Sequence, residues 1–347
     1  SLHSAQRHFE RAIELDAEYA LAYVGLSDTL NLLASYSTGN PADLMGRRQQ
    51  LLDRALVLNA ESGEAWTSLA SLRVDQDRLE EAEQYFLKAI ELGPNYSTAY
   101  HWYAYLLENS GRSEEALPVI RKALELDPNA PILTIQYARI LWNLGRVEAA
   151  NAALVEGLQR NPLFPSYFMN MATNLREVGR LDQSMQWIHA GVQLDARPVF
   201  LKIAYCKRFL DFGDDQSAER CFDEVEADDP QAAIGSRLEL YQFRGQFALA
   251  LEEARDLYQR FELPFSRNIL AWSLLYNGQF SDVIAIAESA WPTLLNGPGF
   301  ELSTSNDLNS LVVTGLALHA MGREQGAELL ERALGHMKTI DRVRGEG

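Results

Sequence analysis

Glycines at positions 111, 145, 179 and 213 lie 34 residues apart, and Gly245, Gly278 and Gly322 continue the series after 32, 33 and 44 residues. A period of this size constrains the fold more than any other feature. Each repeat is one supersecondary unit that cannot bury its apolar face alone and must stack on its neighbours. Between consecutive glycines lie two apolar-periodic stretches of helical length and no alternating strand pattern, so each unit is a pair of helices. At 347 residues the chain also exceeds what one hydrophobic core organises, a bound that an array satisfies.

Other columns keep the same step. Ala70, Ala104, Ala138, Ala172 and Cys206 form one column of small side chains, and Ala82, Ala116, Ala150, Ser184 and Ala218 form a second. Phe86, Ile120, Leu154, Ile188 and Phe222 supply the large knobs that fill the space between them. The glycines fall where a first helix must end in the left-handed conformation, with Asp77 tolerating the same turn in one unit. Pro94, Pro128, Pro162 and Pro230 close the second helices, because proline lacks the amide hydrogen a helix needs, and Ala196 interrupts that column.

Unit length, small columns, turn glycine and terminal proline together resemble the tetratricopeptide repeat superfamily. The resemblance covers residues 63–230 with almost no slip of register and extends with departures over 5–62 and 231–338. The expected fold is all-α, a right-handed α-α superhelix of about nine helix pairs plus a leading half-repeat. By regularity the chain divides into 1–62, a half-repeat and a stretched pair with an insertion near 35–49; 63–230, five regular units; 231–338, three irregular units with an insertion near 291–307; and a tail, 339–347. Unit starts fall near 63, 97, 131, 165, 199, 231, 264 and 308. The insertions "SYSTGNPADLMGRRQ" and "WPTLLNGPGFELSTSND" are expected to be surface loops, with projection into a binding groove as the functional alternative.

In this superfamily the first helix of each pair lines a concave groove, and the resemblance implies a protein-interaction scaffold that binds a peptide or protein segment there. Carried onto this register, the groove residues are His101, Tyr105, Asn109, Arg139, Trp142, Asn143, Met169, Thr173, Arg176, Lys207, Trp272 and Tyr276. Aromatics mixed with Arg, Asn and Lys suit an extended peptide, whose amides need polar partners and whose side chains need apolar surface. Arg139, Arg176 and Lys207 would hold a carboxylate or an acidic segment, unless each is paired with a nearby acid such as Glu177 or Asp211. The Lys and Asn register by which chaperone-binding members clamp a carboxylate is not found, which argues against a chaperone tail. Tyr100 and Tyr103 fall in packing columns, and His101, with no carboxylate identified beside it, is expected to be a surface or hydrogen-bonding residue.

Composition excludes several classes. The 31 Lys and Arg against 48 Asp and Glu leave a net charge of −17, which repels a phosphate backbone or an anionic bilayer, so no nucleic-acid partner is expected. No apolar run approaches the roughly 20 residues needed to cross a membrane. A glycine-rich phosphate loop, a metalloprotease His-Glu-x-x-His and a nucleophile elbow are all lacking, and six histidines are scattered; neither cofactor, metal nor catalysis is expected. Glu80-Glu81 and Glu114-Glu115 open second helices, where carboxylates suit the helix dipole. Cys206 and Cys221 are expected to be buried thiols, with a disulfide open to them in an oxidising compartment.

Two longer stretches, "NYSTAYHWYAYLLENSGR" and "ERAIELDAEYALAYVGLSDTL", resemble the C-terminal repeat arrays of bacterial membrane-anchored winged-helix regulators and nucleotide cyclases. That resemblance implies a sensory or regulatory array, periplasmic in such a parent and cytoplasmic otherwise. Since residues 5–17 read as the second half of a repeat, the chain is expected to be a piece of a longer protein. Apolar faces at uncapped array ends make homo-oligomerisation a further expectation.

Overall fold

A helix that ends on a left-handed residue needs a positive φ. The computed structural model places all seven turn glycines there, from +68° at Gly245 to +76° at Gly179. Past Gly111, the Arg112 amide reaches back to the Leu107 carbonyl at 2.8 Å, and the same bond recurs from Arg180 to Leu175, Asp214 to Phe209 and Gln246 to Tyr241. These bonds satisfy carbonyls orphaned at the helix end and aim the chain into the second helix. The structure describes residues 2–36, 41–76, 78–195, 197–230, 233–261, 264–291, 294–295 and 305–345. Asp77 and Ala196, named above in the turn and proline columns, lie outside them.

Among the described residues there are nineteen α-helices and no strand. The chain divides into two compact units, Ser1–Asn143 and Leu144–Gly347. The first contains α1 (Leu2–Leu15), α2 (Ala20–Tyr36), α3 (Pro41–Leu58), α4 (Gly63–Asp75), α5 (Leu79–Leu92), α6 (Ser97–Asn109), α7 (Ser113–Leu126) and α8 (Pro131–Asn143). The second contains α9 (Val147–Arg160), α10 (Pro165–Glu177), α11 (Leu181–Leu194), α12 (Val199–Asp211), α13 (Asp215–Asp228), α14 (Leu238–Phe243), α15 (Phe247–Arg260), α16 (Pro264–Tyr276), α17 (Phe280–Ala290), α18 (Ser305–Ala320) and α19 (Gln325–Gly345).

Within each unit a first helix lies against its own second helix and against the second helix before it, as α4 does with α5 and α3, and α12 with α13 and α11. All members of the two small columns and of the large column are buried. Full burial of a knob such as Phe86 or Phe222 contributes about 2 kcal/mol. Glycines extend the small class where two elements approach still more closely. A Cβ on Gly25 would stand 2.3 Å from the Phe9 ring, so this glycine lets the half-repeat α1 dock on α2. Gly157 does the same for Tyr167, whose ring would meet a Cβ at 2.7 Å.

Three segments differ from the sequence expectation. The insertion near 35–49 is mostly helix: α2 has 17 residues and α3 has 18, against 13 and 14 in the pair α4 and α5. Pro41 can open α3 because the first helical turn has no amide partner to lose, and only residues 37–40 of the expected loop lie outside the described chain. In the unit expected to start near 231, the first helix is cut to six residues, Leu238–Phe243. Gly235, at φ +79°, turns the chain there, and its amide donates to Glu253 Oε2 at 2.8 Å. Of the insertion near 291–307, residues 292–293 and 296–304 lie outside the described chain, and α18 begins at Ser305.

The two cysteines are joined rather than free. Cys206 on α12 and Cys221 on α13 face each other with Cα atoms 5.3 Å apart and form a disulfide; the expectation of two thiols is corrected by this facing geometry. The bond staples the pair that precedes the shortened α14. Reduction should therefore lower the unfolding free energy of the Leu144–Gly347 unit by about 3 kcal/mol, the chain-entropy value for a loop near 15 residues, read from urea unfolding with and without reductant. Gly157→Ala should cost ~1–3 kcal/mol by overpacking against Tyr167. Tyr167→Phe should cost nothing, because the buried Tyr167 hydroxyl has no hydrogen-bond partner.

Candidate functional site

In the Ser1–Asn143 unit the predicted residues converge on α6 and α8. His101, Tyr105 and Asn109 succeed one another every four residues along one face of α6, and Arg139, Trp142 and Asn143 lie on the last two turns of α8. Their centre is a residue that the sequence reading missed, Glu108, whose side chain is 3% exposed. Arg139 Nε donates to Glu108 Oε1 at 2.6 Å and Arg139 Nη2 to Oε2 at 2.8 Å, a two-point clamp, and Asn143 Nδ2 adds a bond to Oε1 at 3.1 Å. The signal was present in the spacing: Glu108 precedes Arg139 by 31 residues, one repeat less one helical turn, which faces the two across neighbouring first helices.

The clamp orders the aromatics around it. The Arg139 guanidinium lies 5.8 Å from the Tyr105 ring centre, and Trp102 bridges His101 and Tyr105 with centre distances of 5.2 and 5.6 Å. The Glu108 hydrogen bonds hold the Arg139 pKa above its ordinary value. Burial, with the Arg139 charge beside it, pushes the His101 pKa down to about 4, so its ring is neutral across physiological pH. Asn109 is exposed and Trp142 half-buried. Tyr103, expected in the core, is half-buried with its hydroxyl donating to Glu83 Oε1 at 2.8 Å; Arg112 holds the same carboxylate.

The Leu144–Gly347 unit separates its predicted residues. Met169 packs against the core formed by Ala172, Ile188 and Leu201, a structural use, while Thr173 is exposed. Arg176 Nε donates to both oxygens of Asp211 at 2.9 and 3.0 Å, and Lys207 Nζ to Glu239 Oε1 at 2.6 Å. Each of the three predicted cations thus carries a carboxylate from the next or preceding first helix, while the side chains of Arg139 and Arg176 stay 45% and 46% exposed. Trp272 and Tyr276 lie on α16 with ring centres 5.9 Å apart, Trp272 against the core and Tyr276 exposed.

Among the described residues no group of three or more His, Cys, Asp or Glu is placed to hold a metal ion. No described helix is long and apolar enough to cross a membrane.

Stacked helix pairs whose first helices present ordered polar and aromatic side chains define a repeat scaffold for protein interaction. Tetratricopeptide-repeat sequence profiles match residues 49–97, 69–131 and 107–173. With the recurring small columns and turn glycines, these matches identify residues 49–173 as tetratricopeptide repeats. The fold of the chain is similar to that of yeast Tom70, at 15% identity and a TM-score of 0.61 over 83% of this chain and 61% of that one. It also resembles Pseudomonas aeruginosa pilF, at 17% identity and a TM-score of 0.49 over 65% of this chain and 97% of that one. At these identities the likeness concerns the fold alone. Comparison with curated protein sequences finds no match.

The His101 environment has a stability consequence. Its folded pKa lies below the ordinary 6.5, so the unfolded chain binds the proton first and stability is lost as pH falls from 6.5 toward 4. His101→Gln should remove that part of the pH dependence, on the order of 1–2 kcal/mol after allowance for the partly exposed ring. Urea midpoints of both proteins between those pH values check it.

Proposed function

We propose that the chain binds an extended peptide, or a peptide-like segment of another protein, along the exposed face of its first helices, and performs no chemistry on it. One observation carries the reading: on α6 and α8 Glu108 anchors a cation and an Asn amide, and three aromatic rings run in contact away from that cation. The Arg139 side chain is still 45% exposed while held at both oxygens, so its donors are ordered before a ligand arrives and little rotamer entropy remains to be lost on binding. The rings of Tyr105 and His101 offer apolar surface one and two helical turns away.

The acidic-segment version of this ligand has less support than a neutral one, because Arg139, Arg176 and Lys207 already neutralise Glu108, Asp211 and Glu239. The alternative of a sensory or regulatory array in a bacterial signalling protein is favoured by the Cys206–Cys221 disulfide, which suits an oxidising compartment such as the periplasm.

The test is a peptide array probed with wild type and with the double variant Tyr105→Ala, Asn109→Ala, which leaves the Glu108 clamp in place. Peptides captured by wild type should bind the variant about tenfold more weakly in solution, the loss expected of a groove anchor. Undiminished affinity for every captured peptide would overturn the proposal.

A further inference from the structure

The register position two residues before the turn glycine holds Asn109, Asn143, Glu177 and Asp211 in four successive units, and then changes character to Phe243 and Tyr276. Both are 51% exposed, and Phe247, at the start of α15, is 39% exposed. Two of these rings order each other. Phe247 and Tyr276 stack with centres 5.6 Å apart and planes at 27°, and Tyr276 leans on Trp272 at 5.9 Å. The Asn277 amide donates to the Phe247 carbonyl at 2.8 Å and ties the end of α16 to the start of α15. Phe243 precedes Phe247 by four residues across the turn at Gly245. Large aromatics left in water in this way mark an interaction surface more often than an idle one.

Charge chooses the partner. Two cations beside α14 meet three carboxylates, which leaves one negative charge in excess: Arg244 binds both Asp215 at 2.7 Å and Glu219 at 2.9 Å, and Lys207 binds Glu239 at 2.6 Å. Glu239, one turn before Phe243 on the same face of α14, keeps its side chain 45% exposed, and Asp282 is exposed on the first turn of α17. A second copy of the chain, at net charge −17, is repelled, as is an anionic bilayer.

We propose that Phe243, Phe247, Trp272 and Tyr276 form a docking platform for a segment of another protein in which an aromatic or long apolar side chain is flanked by Lys or Arg. The apolar side chain lies on the Phe247–Tyr276 stack, and a neighbouring cation meets the ring faces and the carboxylate in excess beside α14. The proposal rests on the reading of the chain as an interaction scaffold, and uses other residues than the α6–α8 cluster.

The experiment measures fluorescence anisotropy of three labelled peptides, Gly-Lys-Lys-Phe-Lys-Lys-Gly, its Glu counterpart, and its Phe-to-Ala counterpart, against the whole chain. The basic aromatic peptide should bind about tenfold more tightly than either control, and more weakly as salt rises. Phe247→Ser with Tyr276→Ser should lose about tenfold, while Tyr105→Ala with Asn109→Ala should change the affinity less than about twofold. Circular dichroism and the thermal midpoint check that each variant is folded, and Glu239→Gln, milder, should remove only the salt-dependent part. Equal binding of the acidic peptide, full binding by the Phe247, Tyr276 variant, or no binding at about 1 mM would each overturn the platform. Loss confined to the Tyr105, Asn109 variant would sink the platform and leave the α6–α8 reading standing.

Discussion

The fit of a thin side chain against a bulky one, renewed every 34 residues, is the constraint on which this protein depends. Ala70, Ala104 and Ala138 let helices approach, and Phe86 and Ile120 fill what the alanines leave open. Dispersion falls steeply with any gap, so the pairs stack only when thin and thick positions keep step. Gly25 and Gly157 take the same device to its limit, where even a methyl group would strike the Phe9 or Tyr167 ring. Turn glycines then repeat one exit angle from helix pair to helix pair.

A second layer of order runs between first helices. Glu108 with Arg139, Asp211 with Arg176, and Glu239 with Lys207 each join neighbours across one repeat, and Asp28 with Ser68 does so by a 2.6 Å hydrogen bond nearer the N-terminus. Burial raises the Asp28 pKa, and the Ser68 hydroxyl bond offsets part of that cost. Such pairs are worth less as stability than as geometry: a guanidinium held at both nitrogens keeps the rings and amides beside it in place. In a protein of net charge −17, they also consume the cations that would otherwise attract acidic ligands.

At the shortened α14 several departures from regularity meet. The disulfide staples α12 to α13 just before α14, where Gly235 turns the chain and leaves a six-residue first helix. A short helix buries less, which fits the appearance of a covalent link beside it and of exposed rings on α14, α15 and α16.

The amino-acid sequence by itself determined the helix pairs, the turns at the repeating glycines and the small and large columns, because these follow from local periodicity and the sterics of glycine and proline. It marked Arg139, Arg176 and Lys207 as members of one exposed face but could not tell that each already held a carboxylate, since a partner 31, 35 or 32 residues away is a matter of how repeats stack. Glu108 was overlooked for the same reason: its burial is conferred by the next helix. The lengthened α2 and α3, the cut α14 and the bond between Cys206 and Cys221 were likewise decided by tertiary structure. Propensity at an insertion leaves loop and longer helix nearly equal, and only the packing surface offered by the neighbours separates them.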